Sequence, residues 1–152
     1  MSNPKVLFVC LGNICRSPTA EAVFRHKAAQ AGLNIFIDSS GTGGWHRGEL
    51  PDSRARETGA KRGYSFAGQT ARPVEDSDFD NFDLILAMDK RNYRDLTDRA
   101  PKSARNKVKL FLDYGTSSTR EVPDPYYGGP DGFEHVLDLI EDASAGLIAA
   151  LT

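Results

Sequence analysis

Four consecutive apolar residues, Val6-Leu7-Phe8-Val9, run into Cys10-Leu11-Gly12-Asn13-Ile14-Cys15-Arg16-Ser17-Pro18 and then into residues with helical spacing. An apolar run without alternation reads as a strand buried on both faces. A strand that hands over to a helix through a short loop begins a parallel crossover unit, so residues 6–18 favour a parallel sheet flanked by helices. The loop also presents unpaired N–H groups at the positive end of a helix dipole, where an anion is stabilised.

The rest of the chain repeats the pattern. Further apolar runs at 35–37, 84–88 and 108–112 read as buried strands, as does 6–10. One helical pattern places Ala20, Val23, Phe24, Lys27, Ala28 and Ala31 at three-and-four spacing and stops at Gly32. The last places Phe133, Val136, Leu137, Ile140, Leu147, Ile148 and Leu151 on one stripe. Segments 52–62 and 89–99 are charge-rich helical candidates, each opened by an aspartate suited to capping, and the polar stretch 72–81 reads as a connection. The expected fold is α/β: a single domain over 1–152 with an open four-stranded parallel sheet and helices on both faces. Ligands on such sheets bind beyond the carboxyl ends of the strands, where the Cys10 loop must lie.

Composition removes several classes of function. A length of 152 residues with 39% hydrophobic and 26% charged content suits one soluble domain with a real core. The net charge of −2, with lysines and arginines dispersed among acids, argues against nucleic acid as partner. No segment approaches the roughly 20 apolar residues of a membrane span. Two cysteines five positions apart do not make a disulfide framework, and the start lacks an apolar leader, so a cytoplasmic location is expected. His26, His46 and His135 lie far apart, and neither a metal nor another cofactor is expected. The chain is read as a monomer or a weakly self-associating one.

Within the loop, residue types and order carry chemistry. Arg16 supplies a planar fork suited to two oxygens of an oxyanion. Helix N-termini and nearby cations favour a thiolate, so Cys10 is expected to carry charge at neutral pH. Gly12 and Asn13 stand where the backbone is expected to turn left-handed, Ser17 where an N-cap belongs and Pro18 at the first helical position. Far along the chain, Asp124 lies between Pro123 and Pro125, which hold its carboxylate on a stiff loop. Alone that tripeptide reads as a turn; beside the Cys10 loop it reads as a fixed acid.

These residues resemble the low-molecular-weight protein tyrosine phosphatase family, whose signature is Cys, five residues, Arg, then Ser or Thr near the chain start. The likeness covers Cys10 to Pro18, Asp38-Ser39, Met88-Asp89 and Asp124-Pro125-Tyr126-Tyr127-Gly128. It implies a phosphotyrosine protein phosphatase I-like fold and hydrolysis of phosphotyrosine in proteins, with inorganic phosphate and other oxyanions as competing ligands. By the same resemblance Cys10 is the nucleophile, Arg16 and the amides of Leu11, Gly12, Asn13, Ile14 and Cys15 bind phosphate, and Asp124 is general acid and then base. Ser17 supports the thiolate, Asn13 and Ser39 hold the loop, and Leu11, Ile14, Trp45, Tyr126 and Tyr127 form the pocket rim. Cys15 is either packing or a redox partner of Cys10, and both readings stay open. Ile14 stands where phosphoarginine-directed relatives carry threonine, which favours phosphotyrosine.

Gln69 stands where many relatives have a histidine that supports the loop asparagine, so that contact is open to change. The glycine-rich segment 41–44 lacks the lysine of a P-loop and reads as a flexible pocket wall, while Asp89 reads as a helix cap with at most a minor place in the site. Two rival functions remain. Arsenate reduction on the same fold requires further cysteines downstream, and none follows Cys15; a catalytically silent phosphotyrosine-binding module would not need Cys10, Arg16 and Asp124 together.

Overall fold

A computed structural model describes residues 3–126 and 130–152. Its sheet has four parallel strands, β1 (Lys5–Cys10), β2 (Phe36–Gly41), β3 (Leu84–Ala87) and β4 (Val108–Leu110), in the order β2-β1-β3-β4. Residue alternation divides β1 between two cores. Val6, Phe8 and Cys10 join Phe24, Phe111, Leu137 and Ile140 on one face, and Leu7 and Val9 join Phe79, Ile85, Leu96 and Val108 on the other. Helix α1 (Arg16–Gln30), α2 (Ser53–Lys61) and α5 (Pro130–Leu151) pack together on the first side. The short α3 (Asp78–Asn81) and α4 (Lys90–Arg99) cover the second.

Phe8 anchors the first core. Its ring meets Phe24 and Phe111 edge-on, with centroids 5.6 and 5.0 Å away. Truncating such a buried ring to alanine costs about 3–5 kcal/mol. Helix α5 reaches this core by lying directly on the 3-10 turn Phe111–Tyr114 that follows β4. Only glycine fits at that crossing, because a Cβ on Gly146 would stand 1.7 Å from the Tyr114 carbonyl oxygen.

The four expected strands are present with altered edges. β2 starts at Phe36 and runs through Asp38, Ser39 and Ser40 to Gly41, paired with β1 up to Cys10. Its second half is polar because the backbone ladder, not side-chain hydrophobicity, holds it. The apolar run at 108–112 stays extended only to Leu110, and Phe111 and Leu112 turn into the core. The stretch 72–81, expected as connection, ends in α3, whose Asp78 and Phe79 are buried. Asp52 and Asp89 do cap α2 and α4, accepting from the N–H groups of Arg54 and Asn92. Helix α1 departs from expectation: it starts at Arg16 with Cys15 as N-cap and no capping side chain, so Ser17 and Pro18 lie inside its first turn. Among the described residues no helix is long and apolar enough to cross a membrane.

Candidate active site

All parts of the site lie at the carboxyl ends of the strands. Residues 11–15 link β1 to α1. Asn13 turns the chain with φ of 58°, the left-handed conformation that asparagine tolerates. Gly12 does not share that conformation; its lack of a side chain serves close approach, since a Cβ there would meet the His46 ring at 2.9 Å. Among the described residues, no protein acceptor takes the N–H of Gly12, Ile14 or Cys15, while the Asn13 N–H points to Cys10 Sγ at 3.2 Å. The first-turn N–H groups of α1 add donors without helical partners.

Behind the sulfur a hydrogen-bonded chain fixes the loop. Asn13 Nδ2 donates to Ser17 Oγ at 2.8 Å and to Ser39 Oγ at 3.1 Å, and Asn13 Oδ1 accepts from the Arg72 N–H at 3.0 Å. Asn13 fills one lone pair of Ser17, whose Oγ lies 3.0 Å from Cys10 Sγ and 3.4 Å from the Ser40 carbonyl; opposite a thiolate, which can only accept, the hydroxyl is the donor to sulfur. This role explains why Ser17 is not the cap. Ser39 Oγ donates onward to Glu21 Oε1 at 2.7 Å, and Arg25 pairs with the other Glu21 oxygen. Burial raises the Glu21 pKa above its ordinary value, partly offset by the Ser39 and Arg25 hydrogen bonds. Gln69 does not reach Asn13; its amide donates to the Pro18 carbonyl at 3.2 Å. The Arg72 backbone takes over support of the asparagine.

Arg16 is 3% exposed and held by three groups: Asp89 Oδ2 at 2.7 Å, the Val122 carbonyl at 3.0 Å and Asp124 Oδ2 at 3.7 Å. Burial opposes its charge, but the Cys10 sulfur and the Asp89 and Asp124 carboxylates outweigh that and raise its pKa. Asp89 therefore does more than cap a helix: Oδ1 accepts from the Asn92 N–H while Oδ2 aims the guanidinium. Asp124 has a side chain 44% exposed to solvent, and its Oδ1 accepts from the Tyr126 N–H.

One cleft of about 340 Å³ brings Cys10, Arg16 and Asp124 together with Leu11, Gly12, Ile14, Cys15, Trp45 and Tyr126. Asn13, Ser17 and Ser39 stand behind it, and Tyr127 lies outside the described residues. Trp45 is 72% exposed and lies against Gly43, where a Cβ would come within 1.9 Å of its ring. The glycine segment is tied rather than loose: Thr42 and Gly43 donate to the Cys10 and Leu11 carbonyls, each at 2.9 Å. Sequence reading missed His46, which lines the cleft and pairs with Glu49 at 3.0 Å. It also missed Arg54, which lies over the Tyr126 and Phe133 rings at 5.5 and 4.9 Å and is fixed by Asp52. No local motif distinguishes either residue; only the fold places them. The Cys15 thiol is buried, and burial followed by the nearby Asp52 charge pushes its pKa up to about 12.

A parallel α/β sheet with a cysteine at the mouth of a strand-to-helix anion cradle defines a class of phosphate-handling domain. The sequence model of the low molecular weight phosphotyrosine protein phosphatases matches residues 5–152, and the chain belongs to that family. A low molecular weight phosphotyrosine protein phosphatase of Schizosaccharomyces pombe is 46% identical over 98% of this chain and 97% of its own length. YfkJ of Bacillus subtilis, a low molecular weight protein-tyrosine-phosphatase, is 47% identical over 96% of this chain and 94% of its own. The crystal structure of a protein tyrosine phosphatase from Entamoeba histolytica, with Hepes in its active site, superimposes with a TM-score of 0.95 at 49% identity, covering 98% and 97% of the two chains.

Proposed function

We propose that the chain hydrolyses phosphotyrosine monoesters of proteins by two displacements at Cys10. The Cys10 sulfur, as thiolate, attacks phosphorus in line; the S–P bond forms as the bond to the tyrosine oxygen breaks. Asp124 gives its proton to the departing oxygen, and its exposure lets it exchange protons with water. The Arg16 guanidinium and the unpaired N–H groups of the loop, those of Gly12, Ile14 and Cys15 among them, hold the equatorial oxygens, where charge accumulates. Water then attacks the phosphocysteine, losing a proton to Asp124, and the Ser17 hydroxyl stabilises the departing sulfur. The walls formed by Leu11, Ile14, Trp45 and Tyr126 suit an aromatic ring. Inorganic phosphate and other oxyanions compete for the cradle. We place the reaction in the cytoplasm.

The observation that carries this reading is the meeting of Cys10, Arg16 and Asp124 in one cleft from opposite ends of the chain. Cys10→Ser is expected to lose turnover of p-nitrophenyl phosphate by several orders of magnitude while still binding phosphate. Turnover within tenfold of the parent would refute a sulfur nucleophile. A parent protein that binds phosphotyrosine but shows no single-turnover release of phosphate would instead be a silent binding module.

A further inference from the structure

Lysines and arginines that look dispersed in the sequence are gathered by the fold beside the site. Helix α4 presents Lys90, Tyr93, Arg94 and Thr97, one stripe at three-and-four spacing, along a groove of about 510 Å³ against the edge strand β4. Arg105, Lys109 and Arg120 line the other side. Asp113 is the one carboxylate in the lining, and Arg120 already holds both of its oxygens, at 2.9 and 3.0 Å. Among the described residues, the side-chain cations of Lys90, Arg94, Arg105 and Lys109 form no ion pair with a carboxylate. Elsewhere Arg16, Arg25, Arg54, Arg62, Arg72 and Arg99 are each paired with acids, and unpaired cations such as Lys27, Arg47 and Lys61 stand outside the groove; what sets the groove apart is that four of them line it together. Four unneutralised cations in one groove of a chain with net charge −2 are a local field, not a property of the whole surface.

The groove and the catalytic cleft are linked through the chain around Asp89 and Glu121. Lys90 follows Asp89, and its N–H is fixed to Glu121 Oε2 at 3.0 Å, tying α4 to the segment that leads to Asp124. A second depression, bordered by Asp89, Glu121, Val122 and Asp124, lies between them, and Asp124 lines both it and the Cys10 cleft.

We propose that this groove binds an acidic segment of the substrate protein while that protein's phosphotyrosine occupies the Cys10 cleft. The proposal rests on the phosphatase reading and adds the substrate class: phosphotyrosine flanked, several residues away, by aspartate or glutamate. A peptide passes a neutral residue over the acidic depression at Glu121 and sets carboxylates beyond it. A nucleic acid, with phosphate at every step, would carry charge across those carboxylates.

The test compares phosphotyrosine peptides carrying a run of glutamates, on either side, with peptides carrying glutamines instead. In low salt the parent protein is expected to show a kcat/KM about tenfold higher for one of the glutamate peptides, an advantage lost as salt rises. The double variant Arg94→Glu, Lys109→Glu, both exposed, removes the advantage and leaves p-nitrophenyl phosphate kinetics unchanged. Equal kcat/KM for glutamate and glutamine peptides in the parent would overturn the proposal, as would a variant that loses equally on both. Fluorescence anisotropy of an unphosphorylated glutamate peptide reads the groove without catalysis. Binding to the parent and not to the variant supports the groove even if the phosphatase reading fails. An oligonucleotide that binds the same two residues more tightly than this peptide overturns the proposal in favour of nucleic acid.

Discussion

Replacing Asp89 by asparagine separates its two duties. Asparagine caps a helix as well as aspartate does, so α4 keeps the hydrogen bond that Oδ1 now makes to the Asn92 N–H. The remaining amide NH2 then faces Arg16 Nη1, donor against donor, where a carboxylate oxygen stood at 2.7 Å. A charge-assisted hydrogen bond is worth about 1.5–3 kcal/mol. A fully buried pair broken on one side costs about 3–5 kcal/mol. The lower range applies, because the Asp89 side chain is 21% exposed and both the Val122 carbonyl and Asp124 remain beside Arg16. Asp89→Asn is therefore expected to lower unfolding free energy by about 2 kcal/mol, read from the urea midpoint at constant slope. Because the guanidinium loses its aim, kcat toward p-nitrophenyl phosphate should fall about a hundredfold. Asp89→Ala also removes the cap and should cost about 1 kcal/mol more. If the asparagine variant matches the parent in stability and rate while only the alanine variant loses stability, Asp89 is a cap alone and the argument from Arg16 is wrong.

Other consequences are open to measurement. Asp124→Ala should slow esters with poor leaving groups most, by about 10²–10⁴-fold, and esters of acidic phenols least; equal losses across a leaving-group series would remove Asp124 from proton transfer. The buried Glu21 carboxyl has a folded pKa raised above its unfolded value, so its contribution to stability is present at acid pH and lost as pH rises through the folded pKa. Glu21→Gln should flatten that segment of the stability curve, and an unchanged curve would show that the charge is not strained. With its pKa pushed up to about 12, Cys15 is on the order of one part in ten thousand thiolate at pH 8. Iodoacetamide should then label Cys10 in the native protein and Cys15 only after denaturation, as mass spectrometry of the two peptides would report.

What could be read in advance divides along physical lines. β1, the loop and the Asp-Pro segment are local signals: an unbroken apolar run, a turn-forming asparagine and rigid prolines speak for themselves without the rest of the chain. The polar end of β2 is invisible because its order comes from pairing with β1, and no pattern in Asp38-Ser39-Ser40 announces a partner. Ser17, followed by Pro18, has half of the local signature of a helix cap, with Glu21 one residue late for a capping box, and its oxygen is instead engaged by a sulfur 3.0 Å distant and by the Asn13 amide. The replacement of Gln69 by the Arg72 backbone as support for Asn13 is likewise a tertiary choice. His46, Arg54 and the basic groove share one cause: residues unremarkable in sequence become a surface only when strands and helices fix their directions.

The parallel sheet explains why so few residues suffice. Every strand delivers its carboxyl end to the same edge, so β1 ends at Cys10, β2 carries Ser39 and Gly41, and β3 is followed by Asp89. Two of these connections hold the loop that holds the sulfur: Ser39 through Asn13, and Asp89 through Arg16. The division of the carboxylates follows from distance. Asp89, at 2.7 Å, neutralises and orients Arg16, whereas Asp124, at 3.7 Å and open to solvent, is only loosely engaged. A carboxylate bound tightly to a guanidinium cannot readily take and return a proton. In the proposed mechanism that division assigns the proton transfer to Asp124, the carboxylate with the longer contact, and the orientation of the arginine to Asp89.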